Sequence, residues 1–132
     1  MTLLEGTVVS GASEGAYFLG LGWVRDAIRR IAGFDPYLGT LNVHLLDADT
    51  LLRWREIRKG AGVSLTPPDP QSCGGRLLPA LVEGQIRAAV VIPDVTRYGD
   101  EVLEVIAPVR LRTHLGLQDG DRVTLTIEMP TR

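Results

Sequence analysis

Short runs of alternating apolar and polar positions recur along the chain, at residues 6–9, 17–21, 41–45, 63–65, 77–82, 86–92, 102–106 and 122–127. Alternation puts successive side chains on opposite faces, so each run predicts a strand with one face turned toward a core. Glu83-Gly84 joins two of the runs as a hairpin turn, and Gln118-Asp119-Gly120-Asp121 is a turn that launches Val123, Leu125 and Ile127. So many short strands, with no fixed-period repeat, predict a mainly β fold, a small barrel either closed or half-open.

A second periodicity interrupts the first. Val24, Ala27, Ile28 and Ile31 follow the i, i+3, i+4, i+7 spacing of one helix face, and Gly33 stands where a left-handed terminating residue belongs. Residues 23–32 therefore form the best-defined helix. Residues 50–59, with Leu51, Leu52 and Ile57 apolar, predict a second, and residues 110–115 one short helical turn. Trp23 and Trp54 fall on the two longer helices, where their rings serve as packing anchors.

Composition narrows the setting. A chain of 132 residues makes one domain, residues 1–132, that buries roughly 65–70% of its unfolded surface and can fold without a metal or disulfide. Its 14 basic and 16 acidic residues are well mixed and sum to a charge of −2, so no broad field draws in nucleic acid or an anionic membrane. The arginines at 25, 29 and 30, and Arg53, Arg55, Arg58 and Lys59, read as solvated faces. No apolar run approaches the ~20 residues that span a bilayer, and the first five residues lack the pattern of a secretion signal. Cys73 is the single cysteine, in the Pro/Gly-rich stretch 66–75, with His44 and His114 in unrelated segments. Neither a zinc site nor a catalytic thiol is expected. The expectation is a cytoplasmic monomer with no nucleic-acid or membrane partner.

Candidate chemistry gathers in a few places. In Pro36-Tyr37-Leu38-Gly39-Thr40-Leu41-Asn42 a hydroxyl and a carboxamide stand two residues apart where a strand begins, so Thr40 and Asn42 can offer two neutral oxygens to one hard cation. A β-branched residue and a turn-former at a loop-to-strand junction read the same way. His44 falls on the same alternating face. Ser10-Gly11-Ala12-Ser13-Glu14-Gly15-Ala16 is small and glycine-rich, as a phosphate-cradling loop requires, yet it has no Gly-Lys-Ser/Thr ending and no lysine precedes Lys59. A Walker loop is excluded.

Glu104 lies inside the apolar run Val102-Leu103-Glu104-Val105-Ile106, where alternation puts it on one face with Val102 and Ile106. A carboxylate there needs a partner if that face is interior, or else the face is partly open. Thr96 and Tyr98, at i, i+2 spacing in a loop, can be aimed at one ligand or can hold a turn. Tyr37 and Phe34 can pack on a planar ligand or anchor their loop in the core.

Four ordered stretches resemble the archaeal-type CTP-dependent riboflavin kinase family: the Gly-rich residues 10–18, the Gly-Thr-Leu-Asn run ending at Asn42, the Thr96-Arg97-Tyr98 loop with the Leu103-Glu104-Val105-Ile106-Ala107-Pro108 segment, and its continuation Val109-Arg110-Leu111-Arg112. The resemblance implies a six-stranded cradle-loop barrel of the RIFT type with one main helix and short helical turns. It also implies transfer of the γ-phosphoryl group of CTP to the 5′-hydroxyl of riboflavin, giving FMN and CDP. Gly11, Ala12, Ser13, Glu14, Gly15 and Ala16 would wrap the nucleotide, completed by Val109, Arg110, Leu111 and Arg112. Thr40 and Asn42 would hold Mg²⁺, Thr96 and Glu104 would contact the flavin, and Glu104 is the candidate for a catalytic role. Ser13 replaces the middle glycine of the family's loop, and Leu38 replaces a second proline before Gly39. The alternative is a non-catalytic cradle-loop barrel acting as a flavin or nucleotide sensor or a regulatory interaction module.

Overall fold

The computed structural model describes residues 2–11, 19–69, 74–94 and 99–128. Seven strands run β1 (Thr2–Val9), β2 (Leu41–Leu45), β3 (Val63–Leu65), β4 (Gly75–Val82), β5 (Ile86–Pro93), β6 (Val102–Ile106) and β7 (Arg122–Ile127). They form one antiparallel sheet in the order β3-β4-β5-β6-β2-β1-β7, and a further pairing of β7 with β4 closes six of them into a barrel. β3 stays outside the ring as an extra strand on β4. The expected mainly β barrel of six strands is borne out, and of the two forms left open it is the closed one.

Alternation decides which side chains fill it. Leu4 and Val8 of β1, Val43 and Leu45 of β2, Leu103 and Val105 of β6, and Val123, Leu125 and Ile127 of β7 are buried in one interior cluster. The opposite face of β4, β5 and β6 carries Leu77, Ala89, Val91 and Ile106, and these bury against a helix on the outside of the barrel. That helix is α1 (Gly22–Ala32), which turns Val24, Ala27 and Ile28 to the sheet. It ends at Gly33, whose φ of 82° lets its N–H reach back to the carbonyls of Ile28 and Arg29. The expected second helix is α2 (Ala48–Arg58), which at 11 residues is as long as α1. Trp54 and Ile57 anchor it on the interior cluster. A short helix, α3 (Leu111–Leu115), follows β6.

Two backbone details make the closure possible. The β4–β5 hairpin turns through Glu83 and Gly84, both left-handed at φ 52° and 65°, the geometry whose twist matches that of the flanking strands. Pro79, inside β4, lacks an N–H, but it stands between residues 75–77, which pair with β3, and residues 80–82, which pair with β7. The missing donor therefore falls where the strand changes partner, and the Pro79 carbonyl still accepts from Glu128 at 3.1 Å. One expected strand is corrected: of residues 17–21, Leu19 and Gly20 are helical and Leu21 caps α1, while Tyr17 and Phe18 lie outside the described residues. Leu19 is fully buried under α1, and a five-residue apolar run carries no period that separates helix from strand.

Candidate active site

The segment before β2 and the segment after β6 are stitched together at one mouth of the barrel. Tyr37 N–H donates to the Ala107 carbonyl at 2.8 Å, and Gly39 N–H donates to the Tyr37 carbonyl at 2.9 Å in a tight turn. Between the two segments lies a cleft of about 220 Å³, walled by Tyr37 and Thr40 on one side and by Val109, Arg110, Leu111 and Arg112 on the other. Thr40 and residues 109–112, far apart in sequence, thus share one cleft. Tyr37 and Leu38 are exposed at its rim. A Cβ on Gly39 would stand 3.2 Å from the Tyr37 ring, so the glycine lets that ring lie flat along the turn.

Strand register assembles a second group beside it. Asn42 of β2 is paired with Val9 of β1 on one side and with Glu104 of β6 on the other. Glu104 in turn is paired with Val91 of β5. This row points to the outer face of the barrel, the face that Ile106 and Val91 share beneath α1, which answers the odd placement of Glu104: its face is not the interior, and the side chain is half-buried. Asn42 is 6% exposed. The backbone of Gly11 lies directly on its carboxamide, since a Cβ there would meet Nδ2 at 2.2 Å. The start of the glycine-rich segment, the carboxamide and the carboxylate therefore stand in one line. His44 is exposed, two residues further along β2, opposite Thr7 and Val102.

Two acids take partners that the sequence alone does not mark. Asp119, in the turn before β7, accepts from Ser10 Oγ at 2.5 Å and from Arg112 Nη2 at 2.5 Å. The Ser10 hydrogen bond first, and Arg112 second, hold its carboxyl below the usual carboxylate range. Asp100 takes a two-pronged contact from Arg55, at 2.7 and 3.1 Å, with Arg58 at 3.9 Å. The Arg55 hydrogen bond likewise lowers the Asp100 pKa. Arg55 and Arg58 of α2 are thus ion-paired rather than merely solvated, and they fasten the strand-connecting segment ahead of β6 to the helix. No local pattern marks either acid, because the partners lie on other elements. The candidates Ala12, Ser13, Glu14, Gly15, Ala16 and Thr96 lie outside the described residues.

Whether these residues suit a cation follows from donor chemistry. Among the described residues no three His, Cys, Asp or Glu side chains gather in a metal-binding group. Thr40 and Asn42 offer neutral oxygens, and Mg²⁺ accepts one or two such protein ligands when water and phosphate oxygens supply the rest. The pair fits magnesium carried in with a nucleotide, and it does not fit zinc.

The fold is thus a small closed antiparallel barrel with an arginine-bearing cleft at one mouth and a polar row beside it. Residues 8–127 match the model of the CTP-dependent riboflavin kinases, described as Domain of unknown function DUF120. The chain is similar to the riboflavin kinase of Thermofilum pendens, at 40% identity over 94% of this chain and 58% of that protein. It is similar also to that of Methanosarcina acetivorans, at 38% over 95% of this chain and 53% of that protein, and to that of Saccharolobus solfataricus, at 36% over 94% and 73%. The chain belongs to the CTP-dependent riboflavin kinase family. It spans rather more than half the length of the first two of these relatives.

Proposed function

We propose that this protein phosphorylates riboflavin, taking the γ-phosphoryl group from CTP with Mg²⁺. The oxygen of the ribityl 5′-hydroxyl bonds to the γ-phosphorus as the bond from that phosphorus to the β–γ bridging oxygen breaks. The hydroxyl's proton passes to solvent water, and the products are FMN and CDP. The observation that carries the reading is the register pair Asn42↔Glu104. Cross-strand partners bring their Cβ atoms to about 4.5–5.5 Å, so the group assigned to the metal and the group assigned to the flavin are neighbours. Transfer between two substrates demands that adjacency, because alignment of nucleophile and phosphorus supplies much of the acceleration.

Each part then has a task. Thr40 and Asn42 hold the cation, which offsets phosphate charge when bound. Gly11 and the residues that follow it, Ala12 to Ala16, offer backbone N–H groups to the phosphates, and residues 109–112 close on the nucleotide from the other wall of the cleft. Glu104, with Thr96, binds the flavin and orients its hydroxyl. A loose transition state asks little of a base, so a carboxylate suffices. The decisive assay incubates the protein with riboflavin, Mg²⁺ and each of the four nucleoside triphosphates, and resolves FMN by chromatography. FMN formed with CTP in clear excess over the other three is the expected result. Absence of FMN with all four overturns the reading and leaves a flavin or nucleotide sensor. Equal yields remove only the preference for CTP.

A further inference from the structure

The turn before β7 holds itself together without Asp119. Asp121 Oδ2 accepts from Gln118 N–H at 2.8 Å, and Asp121 N–H donates to the Gln118 carbonyl at 3.0 Å. The Asp119 carboxylate is spent elsewhere, with one oxygen on Ser10 and the other on Arg112. Ser10 opens the glycine-rich segment, and Arg112 forms part of the cleft wall. Arg112 Nη2 also donates to the carbonyl of Val9 at 3.4 Å, so the guanidinium, the end of β1 and the start of that segment are held as one unit. Among the described residues both contacts of Arg112 use Nη2, and a guanidinium carries further donors on Nε and Nη1 to offer an anion. A long side chain fixed before a ligand arrives need not be ordered at the moment of binding.

We propose that Asp119 is a positioning residue of the nucleotide site: without touching the ligand, it ties Ser10 Oγ in place and fixes Arg112 so that the guanidinium meets the phosphates of a nucleoside di- or triphosphate. The inference rests on the phosphotransferase reading and names a component that reading does not contain. Coulomb's law alone argues in the opposite direction, since removing an acid close to phosphates should tighten anion binding. The two accounts therefore predict opposite signs.

The test uses the full chain and its Asp119→Ala variant. CDP with Mg²⁺ is titrated by calorimetry, riboflavin by its fluorescence, and melting is followed without ligand. If Asp119 positions the site, the Kd for CDP and the KM for CTP rise about tenfold, the loss expected when a charge-assisted hydrogen bond is removed. In that case kcat and the Kd for riboflavin stay close to wild type, the melting temperature falls only by the small amount that loss of one exposed ion pair brings, and Asp119→Glu recovers part of the CDP affinity. Unchanged or tighter CDP binding in Asp119→Ala overturns the proposal, as does a parallel loss of riboflavin affinity and melting temperature. A wild-type chain that binds CDP but makes no FMN would overturn the kinase reading alone, and the variant's Kd for CDP would still decide this one.

Discussion

Gly11 is a residue whose identity is set by its neighbour, because the Asn42 carboxamide occupies the space a side chain would need. A Cβ at 2.2 Å from Nδ2 has no relief from backbone flexibility alone, so Gly11→Ala must rotate Asn42 or lift the segment that Gly11 begins. Either movement displaces a proposed metal ligand. We expect Gly11→Ala and Asn42→Ala each to cut FMN formation at least tenfold, on the scale of losing one group that stabilises transferring charge, with little change in the melting temperature of the empty protein. Activity assays across a magnesium titration, beside thermal melts, check this, and an Asn42→Ala protein with full magnesium-dependent turnover removes the assignment. Thr40, Asn42 and Glu104 were legible in the sequence because strand periodicity is local: i, i+2 spacing flagged the first two, and a carboxylate among valines and leucines flagged the third. Asp119 was not. Its partners, Ser10 and Arg112, reach it through the β1–β7 pairing and the α3 turn, and nothing in a window around residue 119 encodes either.

At the scale of elements, the strands at Leu41–Leu45, Val102–Ile106 and Arg122–Ile127 coincide with the alternating runs because each has one face inside the barrel and one outside, and Val63–Leu65, outside the ring, coincides too, with Leu65 buried in the outer cluster. The run at residues 17–21 misled for the complementary reason. Leu19 is buried by α1 packing rather than by sheet alternation, and its apolar neighbours read equally well either way. α2 shows how an end signal sharpens a weak periodic one. Asp47 precedes the helix in extended conformation and its carboxylate accepts from Thr50 N–H at 2.9 Å, satisfying a donor that the first turn leaves open. The backbone hydrogen bond from Thr50, foremost, holds the Asp47 carboxyl below its ordinary value. A carboxyl lowered in the folded state stabilises above the unfolded pKa, about 4, and loses that contribution as pH falls through the folded value. Asp47→Ala should therefore melt below wild type at pH 7, with the gap narrowing as the buffer is taken down through pH ~4. Circular-dichroism melts at several pH values read the difference directly, and a gap that stays constant with pH would show that the charge of Asp47 contributes nothing.

At the scale of the molecule, a barrel could be read from the number of short strands, whereas the ring order could not. Closure joins Thr2 to Ile127 across β1 and β7, and Ala80 to Ile127 across β4 and β7, contacts that no local window contains. Gly6 sits where the closed ring leaves no room for a side chain. It continues the interior face of Leu4 and Val8, is paired with Leu45 on one side and Val123 on the other, and a Cβ there would stand 2.5 Å from both the His44 carbonyl oxygen and Val43 Cγ1. One obstacle is backbone and the other a β-branched core side chain, so neither can move without disturbing the β1–β2 ladder. Overpacking of this kind costs about 1–3 kcal/mol. Leu4→Ala, two residues away and fully buried, removes volume instead and should cost about 2–5 kcal/mol. Because the six strands share one interior, both variants should shift the urea midpoint downward and leave the slope of the transition as it is in wild type, the behaviour of a barrel that opens as a unit. A Gly6→Ala protein with an unshifted midpoint would mean that β1 and β2 can part locally, and closure through β4 and β7 would then have to hold the ring without them.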